Sequence, residues 1–541
     1  MERVEAATKV SALGLTVEQI LAAQSRDVVI RSLLERNARE APDEVFVTFE
    51  DGTRWTRREG LEIAAAAAVA LRAAGVGHGD RVAVLLPNGP DFLAAWWGAA
   101  LLGAITFPLN TALRGPTLRR ALDTGAPSVV VTAPDLAVRL DDLGDLPVIR
   151  LSPADLRGTD RAVPSLDHEI GLWDDQLLLM TSGTTGPSKL VRLSYLSPYV
   201  GYASILISQG LGADDVYLID LPLFHMAACG YAYACLVTRT RMHVRTRPAF
   251  AEYWEVLRDH NISAAVLISS MVPMLLSQPV RAAEREHRVK YILLAPVPAD
   301  VDAFKQRFGV PTLLTSWGGT EMSAPVIGEA VPGGAPGFAG RPRPGWEVRL
   351  VDEHDQPVPV GTVGQGIVRA QRPFMMSSGY FGDDAATGKA WRHGWFHTGD
   401  LLRADENGVL HFVDRTGDAI RRRGENVSAF EVEVGVSAHP GIAEVAVVPV
   451  PSDSGVEHDI KAWVVPAPGA EIDCAELLAH CVANLPHFMV PRYFELTDEM
   501  PKSPSAKVQK YLLRERGNTA LTWDSVAHGL VVTRRGLEEI R

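Results

Sequence analysis

The stretch RVAVLLPNGPDFLAAWWGAALLGAITFPL (Arg81–Leu109) joins one short β-branched run to a long apolar run and then to a second short one. Arg81–Asn88 reads as a buried strand, because a brief apolar run bounded by turn formers suits a sheet covered on both faces. Phe92–Leu109 carries no charge and reaches the lower length limit of a membrane span. Gly98, Gly103 and Pro108 interrupt it and basic flanks are missing, so it is read as a buried helix running into a strand. The alternation continues outward. SVVVT (Ser128–Thr132) is another short strand, and LEIAAAAAVALRAAG (Leu61–Gly75) is a helix closed by a glycine. Its alanine run, Ala64–Ala68, is expected to be a tightly packed helix face. Strand and helix in alternation predict an α/β fold of parallel sheets covered by helices.

From about Gly333 the texture is dense in glycine and proline with short alternating strands, as in a small β-barrel or meander over 333–413. After Asp414 the mixed texture returns, with AEVAVVPVP and IKAWVVP as strands and AELLAHCVANL as a helix. The expected organisation is a large N-terminal domain, 1–414, of helix-covered mixed or parallel sheets plus the small β-barrel, and a smaller mobile α+β C-terminal domain, 415–541. The segment after Arg514 reads as a tail or a final short helix.

A chain of 541 residues excludes a single small domain and buries large cores without disulfides. Its 53 basic and 65 acidic residues, a net charge of -12, oppose a protein that coats nucleic acid but allow a local basic pocket for a phosphorylated ligand. Four cysteines without CxxC pairing suit a reducing compartment, and MERVEAATKVSALGLTVEQI has no basic leader before an apolar run. A cytoplasmic protein without a membrane span is therefore expected, either a monomer or a homodimer.

LLLMTSGTTGPSK (Leu177–Lys189) is the sharpest local signal. An apolar strand runs into Thr181, Ser182, Gly183, Thr184, Thr185 and Gly186, and Lys189 follows. Small residues let backbone N–H groups approach anionic oxygens, the hydroxyls add donors, and the lysine supplies positive charge. The spacing differs from GxxxxGK[ST], since the lysine comes three residues after the second glycine and is followed by leucine.

Five further segments occur in order: LPLFHMAACG (Leu221–Gly230), SWGGTEMS (Ser316–Ser323), GWFHTGDLL (Gly394–Leu402), DRTGDAIRRRGENVSAFEVE (Asp414–Glu433) and PKSPSAKVQKYLLR (Pro501–Arg514). With the loop they give a chain that resembles the adenylate-forming superfamily of acyl-CoA synthetases, firefly luciferases and peptide-synthetase adenylation domains. The resemblance implies two steps, both in one site. A carboxylate attacks the α-phosphate of ATP, and coenzyme A or another nucleophile then displaces AMP. It implies that Thr181–Lys189 hold the β- and γ-phosphates, that Glu321 binds Mg²⁺, and that the Thr320 hydroxyl lies near the α-phosphate, with Gly318 beside the nucleotide. Trp317 is left as a contact for adenine, for the acyl group, or as core. Asp400 accepts the ribose hydroxyls, and Arg415 contacts ribose or phosphate near the joint between domains. Lys507 bridges the carboxylate and the α-phosphate when the C-terminal domain closes. The same domain then rotates so that Gly424–Ser428 lines the path of the thiol. His225 is placed near the acyl pocket, or else is a satisfied core histidine.

The expected activity is ATP- and Mg²⁺-dependent ligation of a small or medium carboxylic acid to coenzyme A. GENVSAFEVE and FMVPRYFEL are similar to ligases of such acids, including the crotonobetaine/carnitine type. The alternatives are transfer to an amine or a carrier thiol, or activation of an inorganic oxyanion such as nitrite for arylamine diazotisation. Departures from the family pattern are Leu190 after the loop lysine, Ser194 and Tyr195 in place of threonine and histidine, LLAPVPAD (Leu293–Asp300) at the acyl pocket, Gly417 at the hinge, and SAK around Lys507. RTRMHVRTR puts Arg239, Arg241, His243, Arg245 and Arg247 on one strand face, either for coenzyme A phosphates or as a solvated sheet edge.

Overall fold

In a computed structural model, the described residues are 14–181, 188–268, 271–295, 297, 301–330, 337–415, 419–422, 425–453, 457–501, 508 and 510–539. Thr56 caps the helix Arg57–Ala73: its side chain accepts the Glu59 N–H, and the Glu59 side chain accepts the Thr56 N–H. Ala64–Ala68 are all buried, as the alanine run predicts. They face the helix Pro90–Leu101, where a Cβ added to Gly98 would stand 2.6 Å from the Ala67 Cβ. Two small residues therefore let the helices touch, while Trp96 and Trp97 are buried beside them. The helix turns into the strand Ile105–Pro108. Among the described residues, no helix is long and apolar enough to cross a membrane.

Two sheets form the N-terminal part. One has six strands in the order 149–151, 129–132, 81–85, 105–108, 175–181 and 189–194. It is parallel except for the last pair. The other has a parallel heart of Val216–Ile219, Arg241–Val244, Ala264–Ile268, Tyr291–Ala295 and Thr312–Gly319. Through Ser323–Glu329 it continues edge to edge into antiparallel strands, which make up the β-rich region expected over 333–413.

The reading of RTRMHVRTR is corrected. Only Arg241–Val244 is strand, and it pairs in parallel on both sides, so it is not an edge. His243 is fully buried and stacks on His260, and burial holds its imidazole down at about 3. Three of the four arginines have partners: Arg239 pairs with Glu40, Arg245 with Glu50, and Arg241 donates to the Asp214 carbonyl. Alternation in sequence gives the two faces of a strand but does not say what covers them.

The C-terminal sheet has the order 442–451, 458–466, 493–496 and 523–524. Period-two alternation splits its side chains between two cores. Val447, Ile460, Ala462 and Val464 face the helices Ala429–Ser437 and Cys474–Asn484. Ala446, Val448 and Trp463 face Leu513 and Val508 on the other side. The segment after Arg514 is more than a tail. Arg492 bonds the Asp524 carboxylate through two nitrogens, each at 2.9 Å, and the buried Lys461 holds Glu495, the Gly517 carbonyl and Thr522. Beyond these contacts lies a hairpin, Leu530–Thr533 with Gly536–Glu539.

Candidate active site

Asp175–Thr181 and Lys189–Ser194 form an antiparallel hairpin whose last register pair is Thr181 opposite Lys189. Ser182, Gly183, Thr184, Thr185 and Gly186 lie outside the described residues. The second strand is also paired by the segment before Phe381: Arg192 N–H donates to the Gly379 carbonyl and Phe381 N–H to the Leu190 carbonyl. That pairing sets the Tyr380 ring 4.8 Å from Lys189 Nζ, a cation–π contact. The Tyr380 hydroxyl donates to Glu321 Oε1 at 2.9 Å. Burial, with the Glu321 carboxylate beside it, pushes the phenol well above its ordinary value, so it remains a donor. One aromatic side chain thus joins the lysine of the phosphate hairpin to the expected metal ligand.

Glu321 sits in the turn between the strands Thr312–Gly319 and Ser323–Glu329. A Cβ on Gly318 would fall 1.9 Å from the Ser323 carbonyl oxygen, so this crossing of the two strands admits only glycine. Trp317 turns inward, 5 % exposed, and its Nε1 donates to Asp400 Oδ2 at 2.9 Å. Of the three readings for Trp317, the core one fits, with an added duty: it fixes one oxygen of Asp400. Asp400 pairs in register with Arg415, which ends the strand Leu410–Arg415. Beside it, His397 Nε2 bonds Asp355 Oδ1 at 2.9 Å, and His397 with His393 holds that carboxyl down at about 2.

The C-terminal part closes over this site. His225, the N-cap of the helix Met226–Thr238, bonds Glu425 Oε2 through Nε2 at 2.7 Å. Burial alone raises the Glu425 carboxyl, but His225, Arg421 and His487 outweigh it and leave it below its ordinary value. Glu431, on the helix Ala429–Ser437, accepts the Ser188 N–H at 3.0 Å. Here burial wins, and the carboxyl is raised despite Ser188 and Arg120. The cleft between the two parts is about 90 Å³ and is lined by Thr181, Ser188, His225, Thr320, Glu425, Glu431, Phe488 and Met489 among others.

Most of the sequence-derived set therefore converges: Thr181, Thr320 and His225 line the cleft, Lys189 and Glu321 meet at Tyr380, and Trp317 meets Asp400. Lys507 and Gly424 lie outside the described residues. Val508, next to Lys507, packs on Ala446, Val448, Trp463, Met500 and Leu513, the sheet face opposite the core that contains Ile420 and Val427. Sequence reasoning missed Tyr380 and Glu431, and held Glu425 only as part of Gly424–Ser428. The two glutamates stand inside the quoted GENVSAFEVE, whereas a tyrosine between Gly379 and Phe381 had no signal of its own.

Among the described residues, no three His, Cys, Asp or Glu side chains converge as a metal cage. Mg²⁺ is commonly held by one or two carboxylates with substrate phosphates and water, and Glu321 is the carboxylate that the sequence offers for it.

The AMP-binding enzyme family model matches residues 34–381, and the AMP-binding enzyme C-terminal domain matches 431–507. A feruloyl-CoA synthase of Amycolatopsis sp is 34% identical over 491 residues, covering 89% of this chain and 97% of its own. A crotonobetaine/carnitine–CoA ligase of Salmonella typhi is 31% identical over 464 residues, covering 81% and 89%. In fold, the chain matches an o-succinylbenzoate CoA synthetase from Bacillus subtilis bound with its product analogue, with a TM-score of 0.80, 23% identity, and coverage of 90% and 98%.

Proposed function

The chain belongs to the AMP-binding enzyme family, and on that premise we propose how its residues divide the work of an AMP-forming acid–CoA ligase. The enzyme activates a carboxylic acid with ATP and Mg²⁺ as an acyl-adenylate and transfers the acyl group to coenzyme A. In our reading the acid is small or medium in size, with ferulic acid, crotonobetaine and carnitine the first to try, since the relatives' names carry them. The protein is read as cytoplasmic, with its domains divided at 414/415.

Both reactants of the first step are anions, so the site must neutralise charge and hold the carboxylate in line. Lys189 and the N–H groups of the hairpin grip the β- and γ-phosphates. Glu321 holds Mg²⁺, which when bound neutralises phosphate charge. Thr320 donates toward the α-phosphate, Asp400 accepts the ribose hydroxyls, and Arg415 lies opposite it in register. The acid's oxygen attacks the α-phosphorus and pyrophosphate leaves, with the Lys507 ammonium bridging the two anions. In the second step the thiol adds to the acyl carbon, its proton is lost, and AMP departs. His225 borders that acyl end of the cleft.

The observation that carries this division is the chain of contacts Lys189–Tyr380–Glu321, whose chain neighbours Ser188 and Thr320 line a cleft together with Glu425 and Glu431. The packing of Val508 on the face of the C-terminal sheet opposite Ile420 and Val427 supports a pose of the second step. The test is product analysis with a panel of acids, ATP, Mg²⁺ and coenzyme A. The reading expects AMP and an acyl-CoA in equal amounts, both lost in Glu321→Ala. AMP without thioester, or ADP in place of AMP, overturns it.

A further inference from the structure

The chain continues past residue 507, where the match to the family's C-terminal domain ends, and the added segment returns to the sheet. Trp523–Asp524 pairs antiparallel with Tyr493–Leu496, Asp524 opposite Tyr493. The Asp524 carboxylate accepts Nε and Nη2 of Arg492, each at 2.9 Å, and Arg492 Nη1 donates to Asp459 Oδ2 at 2.9 Å. The other Asp459 oxygen stands 3.3 Å from Nε of Arg422. Arg422 is buried, and its Nη1 donates to the Val490 carbonyl. It ends the strand Ala419–Arg422 and lies in register opposite Glu425, which bonds His225 and lines the cleft. A line of alternating charges thus runs from the added segment to the cleft: Asp524, Arg492, Asp459, Arg422 and, across one register pair, Glu425.

The hairpin at the end of this line is a two-stranded ribbon, separate from the four-stranded sheet. Such a ribbon is marginal by itself. Ile420 and Val427 bury one face of it in the C-terminal core, and the Arg422 guanidinium ties down the end next to Glu425. Of the carboxylates on Arg492, Asp453 is exposed, whereas Asp459 and Asp524 are sheltered. Burial alone raises the Asp524 carboxyl, but Arg492 outweighs it and leaves it below its ordinary value, so the pair is charged. Without that charge, Arg492 and Arg422 compete for Asp459, in surroundings where water screens them weakly. We propose that Asp524 is a positioning residue for the thiol step: through Arg492, Asp459 and Arg422 it fixes the hairpin that presents Glu425 to the cleft. The proposal rests on the reading of Glu425–Ser428 as part of the thiol's path. No bond forms or breaks in it. Adenylation is spared, because Lys189, Thr320, Glu321 and Asp400 belong to the N-terminal part.

The test uses the full chain and two readouts. Asp524→Asn keeps the shape of the side chain and loses its charge. Hydrogen exchange of the amides in 419–428, followed by mass spectrometry, is expected to quicken by about tenfold in this variant and to return toward the wild-type rate in Asp524→Glu. With ferulic acid, crotonobetaine and carnitine in turn, exchange of pyrophosphate into ATP should stay within about twofold of the wild type, while transfer from pre-formed adenylate to coenzyme A slows by about tenfold. Thr522→Val is the control for a general loss of stability. It removes a hydroxyl of the same segment that bonds Lys461 and Glu495, outside the line, and should leave the exchange of 419–428 unchanged. Unaltered exchange in Asp524→Asn, equal quickening in Thr522→Val, or equal loss of both half-reactions overturns the proposal. A quickened hairpin with transfer to coenzyme A intact instead overturns the reading of Glu425–Ser428 on which it rests.

Discussion

The helix pair of the N-terminal part and the cleft beneath the C-terminal part are held together by opposite means. Arg57–Ala73 and Pro90–Leu101 meet through Ala67 and Gly98 at a distance that leaves no room for a methyl group. The cleft closes through His225–Glu425 and Ser188–Glu431, contacts between residues 200 and 243 positions apart. A close-packed apolar contact has one arrangement and loses dispersion outright when parted. A carboxylate on a backbone N–H can give way to another anion at small net cost, because the donor keeps a hydrogen bond. The lasting joint is apolar and the exchangeable one is polar, as a two-step ligase requires.

The largest effect is expected where the two half-reactions are read to need different poses of the C-terminal part. Lys507→Ala should depress adenylate formation by about a thousandfold, roughly 4 kcal/mol, while transfer from pre-formed adenylate to coenzyme A falls less than tenfold. Stopped-flow measurement of the two half-reactions checks this, and equal losses would mean that one pose serves both steps. At the fixed joint, Gly98→Ala should cost about 1–3 kcal/mol of stability by overpacking, read by urea denaturation, with ATP affinity unchanged in the folded protein. An unaltered midpoint would show that the helices are free to move apart.

Asp220 tests burial without exchange. It is 2 % exposed, one carboxylate oxygen has no hydrogen-bond partner, and burial pushes the carboxyl up to about 7. Between the ordinary carboxylate value of about 4 and that point, the unfolded chain has released a proton that the folded chain keeps. Stability therefore falls as pH rises through this window and is level above it. Asp220→Asn should remove that slope and gain about 1–2 kcal/mol at pH 8. Thermal melts from pH 4 to pH 8 decide, and a slope that survives the substitution assigns it elsewhere. The smallest effect belongs to Glu425→Gln, expected to slow the thiol step by about threefold to tenfold and spare adenylation, since a half-exposed ion pair contributes about 1 kcal/mol.

The two joints also differ in how far sequence reveals them. The strand–helix–strand run at Arg81–Leu109 and the alanine face were legible because period and residue size are local properties. That Thr181, Lys189, Thr320, Glu321 and Asp400 belong together was legible because each stands in a segment that carries the family resemblance. Glu431 was not, since its partner, Ser188, belongs to another domain and nothing near Glu431 in sequence points to it. Tyr380 was hidden for a related reason: its work comes from a strand pairing that aligns it with Lys189, and its neighbours Gly379 and Phe381 give no sign of that. RTRMHVRTR misled because alternation records two faces but not the parallel neighbours that bury them.

The most direct test of the central claim is exchange of labelled pyrophosphate into ATP, run with ferulic acid, crotonobetaine and carnitine, first without coenzyme A and then with it. The account predicts exchange that depends on the acid and on Mg²⁺ and needs no coenzyme A, with thioester appearing only when the thiol is added. Exchange that requires coenzyme A, or that proceeds with no acid present, would contradict it.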